Sequence, residues 1–284
     1  MKSLAFSRWL IVCALFAAHG DAVAQACTGP YAVGTAQTTL VDSDRGRSVP
    51  VRVHYPATLA GSNTAAVNGC AFPVLAFGHG FTIAHTSYGY LADGLATQGV
   101  VVVLPATEEG FSPSHASFGA DLRFAANAVR NIDALRAAVG PVRAIGGHSM
   151  GGGAAILGGA GLDGYFGLAP ANTNPSAIAA APFIVAPALI LLGSRDCVTP
   201  RAQHADPIFQ ALATPLADKR MIEIAGGSHC QFSVGSLTCG IGEQSCGGSA
   251  TISQAAQQAA TLAEAIPFLR GLRASDLVWS AGFE

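Results

Sequence analysis

Val142-Arg-Ala-Ile-Gly-Gly-His-Ser-Met-Gly-Gly-Gly-Ala-Ala-Ile156 decides how this chain is read. Val142 to Ile145 is an apolar run of strand length, and from Met150 to Gly159 small and apolar residues suit a helix. Ser149 stands at the turn between them, with Gly147 and Gly151 two residues to either side. So tight a turn brings backbone segments together, needs residues without a Cβ, and holds the serine in a strained conformation that presents its hydroxyl. A glycine-rich helix start could instead cradle phosphate, but the lysine spacing of a Walker loop is absent and no G-x-G-x-x-G with a distal acid occurs. Ser149 is therefore the candidate nucleophile.

Outward from this turn, Ser48 to Tyr55 alternates like a strand. Pro73 to Phe77, Val100 to Leu104, Ala188 to Leu192 and Arg220 to Ile224 are short apolar runs that suit strands buried on both faces. Thr86 to Gln98, Gly119 to Val139 and Ser253 to Leu272 have helical length and period, while Ala169 to Pro187 reads as a loop with a short helix. Alternating strands and helices predict an α/β fold: a single-domain, doubly wound, mostly parallel sheet with helices on both faces. Ligands of such sheets bind at the carboxyl ends of the strands.

A serine needs a base, and the base an orienting acid, in the chain order Ser, Asp or Glu, His. Asp196 follows the run Ala188 to Leu192 within Gly193-Ser-Arg-Asp196, and His229 follows Ile224 within Gly226-Gly-Ser-His229. Asp163, Asp206 and Asp218 compete with the first and His204 with the second, but none follows a strand so directly. The oxyanion of an acyl-transfer intermediate needs backbone donors. Met150 N–H is one, and Gly78-His79-Gly80-Phe81 supplies the other, assigned to Phe81 with Gly80 as the alternative. His79 and His148 read as local packing residues, and His85, His115 and Tyr88 as surface.

The 284 residues carry 15 Lys and Arg against 17 Asp and Glu, a formal charge of -2. No basic field neutralises phosphates or steers the chain to a membrane, so nucleic acid is excluded as a partner. Residues 1–24 read as a cleaved signal peptide, with Lys2 and Arg8 before the apolar Trp9 to Ala18 and small residues around Ala22-Val23-Ala24. That leaves residues 25–284 as one catalytic domain, secreted or periplasmic, and expected to be a monomer. Export permits disulfides, and the six cysteines beyond the signal, which allow 15 pairings, fit no zinc spacing. No metal is expected.

Phe77-Gly-His-Gly-Phe-Thr82, Gly147-His-Ser-Met-Gly-Gly-Gly153, Gly193-Ser-Arg-Asp196 with Pro200, and Gly226-Gly-Ser-His229 resemble the bacterial cutinase and polyester (PET) hydrolase group of α/β hydrolases. That group is related to dienelactone-hydrolase-like and chlorophyllase-like esterases, and the match runs over residues 45 to 270. The resemblance implies a cofactor-free serine esterase of short-to-medium-chain or polyester-type esters, with a Ser149/His229/Asp196 triad and donors at Phe81 and Met150. A chlorophyllase- or lipase-like esterase and a serine peptidase of the same fold are the alternatives. It also implies that Phe81 flanks the scissile ester. Where the group carries a Trp that clamps aromatic acyl groups, this chain has Ala171, which argues against efficient turnover of aromatic polyester. Cys197 directly follows Asp196 and Cys230 directly follows His229, so adjacency of the two loops predicts a Cys197–Cys230 disulfide, with Cys27–Cys70 and Cys239–Cys246 as the other pairs.

Overall fold

The computed structural model describes residues 27–274. The expected signal peptide and the residues from 275 onward lie outside them. The strands are β1 (Ala32–Asp42), β2 (Arg47–Ala57), β3 (Gly61–Ser62), β4 (Phe72–Gly78), β5 (Val101–Pro105), β6 (Val139–His148), β7 (Gly164–Leu168), β8 (Ala188–Gly193) and β9 (Lys219–Ile224). They form one sheet in the order β3-β1-β2-β5-β4-β6-β7-β8-β9. Every pairing from β5 through β4 to β9 is parallel, while β2 is antiparallel to both β1 and β5. The doubly wound, mostly parallel α/β sheet expected from the sequence is present.

The helices are α1 (Gly89–Thr97), α2 (His115–Ala128), α3 (Met150–Gly158), α4 (Ala177–Ala180), α5 (Ala205–Ala211), α6 (Leu237–Ser245) and α7 (Gln254–Gly271). They cover both faces of the sheet, as β5 shows. All five of its residues are buried, Val101 and Val103 in one apolar cluster with Val51, Val53 and Val129, and Val102 and Leu104 in the other with Leu91, Leu95 and Leu122. Because successive strand side chains point to opposite faces, two-sided burial demands the continuous apolar run seen in the sequence.

Two elements depart from expectation for local reasons. The helix expected over Gly119 to Val139 stops at Ala128, because Ile132 takes extended backbone angles (φ -73°, ψ 112°) and the chain proceeds in two 3-10 turns to β6. Gly164–Leu168 pairs between β6 and β8 as a fully buried strand, although two glycines in five residues weaken any strand signal.

The disulfides correct the expected pairing. Cys27 joins Cys70 as expected, but Cys197 joins Cys246 and Cys230 joins Cys239, and no Cys197–Cys230 or Cys239–Cys246 bond exists. The reason is α6. Cys239 lies in its first turn and Cys246 just beyond its end, where seven residues of helical rise separate them by about 10 Å, too far for one bridge. Each therefore reaches outward, one to the loop after β8 and one to the loop after β9. Non-reducing digestion should release Cys197–Cys246 and Cys230–Cys239 peptides; a Cys197–Cys230 peptide would contradict this placement of α6.

Candidate active site

Ser149 follows β6 and precedes α3 with φ 54° and ψ -119°, a left-handed conformation that a β-substituted residue adopts only under constraint. The constraint is visible on both sides. Its N–H donates to Leu168 O at 2.9 Å, and its carbonyl accepts from Gly153 N at 3.1 Å and Ala171 N at 2.9 Å. Gly151 is required by close approach, since a Cβ there would stand 2.3 Å from the carbonyl oxygen of Gly78 in β4. The side chain of Ser149 is mostly buried, with 9% of the residue exposed.

Asp196 and His229 leave the carboxyl ends of β8 and β9 and meet. His229 Nδ1 donates to Asp196 Oδ2 at 2.7 Å, in surroundings that leave His229 only 2% exposed. The other carboxylate oxygen, Oδ1, accepts from Val198 N and Thr199 N, each at 2.9 Å. The Thr199 hydroxyl lies 2.9 Å from Asp196 Oδ2 and 3.1 Å from His229 Nδ1, so it braces the pair from one side. Burial alone would raise the Asp196 carboxyl. The hydrogen bond and charge of His229, aided by Thr199, outweigh it and hold the group below the usual carboxylate range. With Nδ1 so engaged, Nε2 is the nitrogen left to act on a substrate or a hydroxyl. Among the described residues no hydrogen bond joins the Ser149 hydroxyl to His229, a separation common before substrate binds.

Three of the four competing residues have other partners. Asp163 accepts from Arg143 N at 2.7 Å, Asp206 pairs with Arg201 at 2.8 Å, and His204 Nδ1 accepts from Asn172 N at 2.9 Å. His79 is buried and donates from Nε2 to Thr107 O at 2.8 Å, which ties the loop after β4 to the loop after β5. His85 lies against Glu109, 2.7 Å from its carboxylate, and His115 against Asn174.

Tyr88, read as a surface residue, is fully buried and settles which amide after β4 is available. Gly80 N donates to Tyr88 Oη at 2.9 Å, and the hydroxyl in turn donates to His148 Nδ1 at 2.8 Å. Gly80 is thus occupied, whereas the Phe81 amide donates to no acceptor among the described residues. Met150 opens α3, so its amide precedes the helical hydrogen-bond ladder. Two N–H groups flank the serine turn with no partner of their own.

The rim is aromatic on one side. Phe81 is 48% exposed, and Phe111, from the loop after β5, is 81% exposed and stands edge-on to it with centroids 6.4 Å apart. Phe111 was not singled out in the sequence; the only signal was an aromatic residue shortly after a buried strand. Ala171 contributes its amide to the Ser149 carbonyl and no ring to the opposite side. Among the described residues no group of three or more His, Cys, Asp or Glu side chains is arranged to hold a metal.

A protein-family model described as PETase, PET hydrolase-like, matches residues 17–247. The chain is also 27% identical over 210 residues to a bis(hydroxyethyl) terephthalate hydrolase of Streptomyces coelicolor, an alignment covering 72% of this chain. The chain spans 62% of the length of that relative.

The contact between His148 and His229, whose rings lie 4.5 Å apart, has a measurable consequence. Burial, and secondarily the neighbouring His229, holds His148 well below the usual imidazole range. The folded protein keeps it neutral where the unfolded chain binds a proton, below about pH 6.5, so its contribution to stability is present above that pH and lost as pH falls. His54 and His204, also depressed by burial, act in the same direction. The wild type should lose melting temperature from about pH 7 to about pH 5, and His148→Gln should lose less; equal losses would show that His148 is not held neutral.

Proposed function

The chain belongs to the PET hydrolase-like family, and on that premise we propose that it is a serine hydrolase of carboxylic esters. The observation that carries the reading is the buried His229–Asp196 pair, at 2.7 Å, brought to the same sheet end as the strained Ser149 turn. In this reading Ser149 Oγ attacks the ester carbonyl while His229 Nε2 takes its proton, and Asp196 holds the imidazole in orientation. The oxyanion accepts from Phe81 N–H and Met150 N–H, the choice of Phe81 being supported by the Tyr88 bond that occupies Gly80. His229 returns the proton to the departing alcohol. Water, deprotonated by the same imidazole, then releases the acid and restores Ser149.

For the substrate we infer short-to-medium-chain esters, including small aromatic diesters of the kind named for the Streptomyces coelicolor relative. Phe81 and Phe111 offer an open aromatic wall, while Ala171 offers no second ring to complete a clamp. A lone wall can seat a single aryl group but grips an extended aromatic polymer weakly. The three disulfides suit the exported location read from the sequence.

Two measurements test this. Ser149→Ala should lose about 10⁴-fold or more of kcat on p-nitrophenyl butyrate with unchanged circular dichroism, and full activity would end the assignment. Phe111→Ala should raise KM for bis(hydroxyethyl) terephthalate by about 2- to 12-fold and leave tributyrin turnover unaltered, the range expected for loss of one aromatic contact. Equal effects on both substrates would remove Phe111 from the site.

A further inference from the structure

Helix α6 touches the three loops that carry Phe81, Asp196 and His229. At its start Thr238 Oγ1 lies 2.9 Å from the hydroxyl of Thr82, the residue after Phe81. Cys239, in its first turn, is bonded to Cys230, the residue after His229. Cys246, just past its end, is bonded to Cys197, the residue after Asp196. Between these anchors Glu243 turns back to the base loop. Its Oε1 accepts from His229 N at 2.7 Å and from Cys230 N at 3.3 Å, and its Oε2 accepts from Ser228 Oγ at 3.0 Å. Among the described residues no other charged group from outside the loop grips the His229 backbone. Gln257 of α7 holds the preceding residue, accepting from Ser228 N and donating to Ser228 O, each at 2.8 Å.

We propose that α6 is a covalently pinned clamp and that Glu243 is a positioning residue for His229. The inference rests on His229 being the base. The geometry gives the reason for it. A loop of irregular backbone cannot by itself fix an imidazole to the tolerance that proton transfer requires. Here the carboxylate closes three donors of that loop at once, and the two disulfides fix where the carboxylate stands relative to both the acid and the base. The other ionisable groups facing His229 are Asp196 on the β8 loop, His148 at the serine turn and, more distantly, His204 ahead of α5.

The test is steady-state kinetics on p-nitrophenyl butyrate, with each preparation's active sites counted by a fluorophosphonate probe. Glu243→Ala should lower kcat per titrated site by about 10- to 100-fold while KM changes by less than about twofold. Glu243→Gln, which keeps an acceptor for His229 N, should recover most of that loss. Paired Cys230→Ser and Cys239→Ser substitutions should lower kcat in the same way, and combining them with Glu243→Ala should cost less than the product of the separate effects. If Glu243→Ala fails to fold, the kcat per titrated site of the paired Cys230→Ser and Cys239→Ser variant decides. An unaltered kcat per titrated site, with only a lower melting temperature, would overturn the proposal. Retained activity in His229→Ala would instead overturn the reading on which it rests, so the two failures are told apart.

Discussion

The backbone of Ser149 is the constraint on which the rest depends. A serine at φ 54° and ψ -119° stores strain of about 1–3 kcal/mol, and it persists only because its surroundings over-determine it. Leu168 takes its amide, Gly153 and Ala171 donate to its carbonyl, and Gly151 lets α3 press against the end of β4. The same contact that strains the serine therefore sets the distance between the elbow and the loop carrying Phe81. One packing requirement builds both the Ser149 turn and the pair of amides beside it.

Around that turn buried polar side chains act as braces. Tyr88 and His148 lie fully inside and lock the loop after β4 against the elbow. Thr199 joins the acid to the base. Further out, buried Asp121 accepts from Arg47 and Thr107 and so steadies the loop that ends in Phe111. Arg45 and Arg47 both pair with Asp121, so removing either leaves part of a buried carboxylate's charge uncompensated.

Much of this was legible in the chain. The buried parallel strands announce themselves because two-sided burial leaves no room for polar residues, as in Val101 to Leu104. Ser149, Asp196 and His229 stand out because each follows such a run directly. What stayed hidden depends on tertiary context. The strand Gly164–Leu168 has too little side chain to show a period, and α6 is obscured by its glycines. The expected cysteine pairing took adjacency of the acid and base loops to mean a direct bond between them, whereas each loop is bonded to α6 instead. Thr199, Phe111 and Glu243 are ordinary residue types at unremarked positions, Tyr88 reads as surface in the sequence, and only the folded chain shows what each one touches.

The central claim is that His229 and Asp196 make Ser149 reactive. It is tested most directly by the rate and site of fluorophosphonate labelling, read by mass spectrometry of the digested protein. The account predicts a single adduct, on the peptide containing Ser149, formed rapidly in the wild type and at least about 100-fold more slowly in His229→Ala. An adduct on another residue, or labelling of Ser149 that does not slow when His229 is removed, would contradict it.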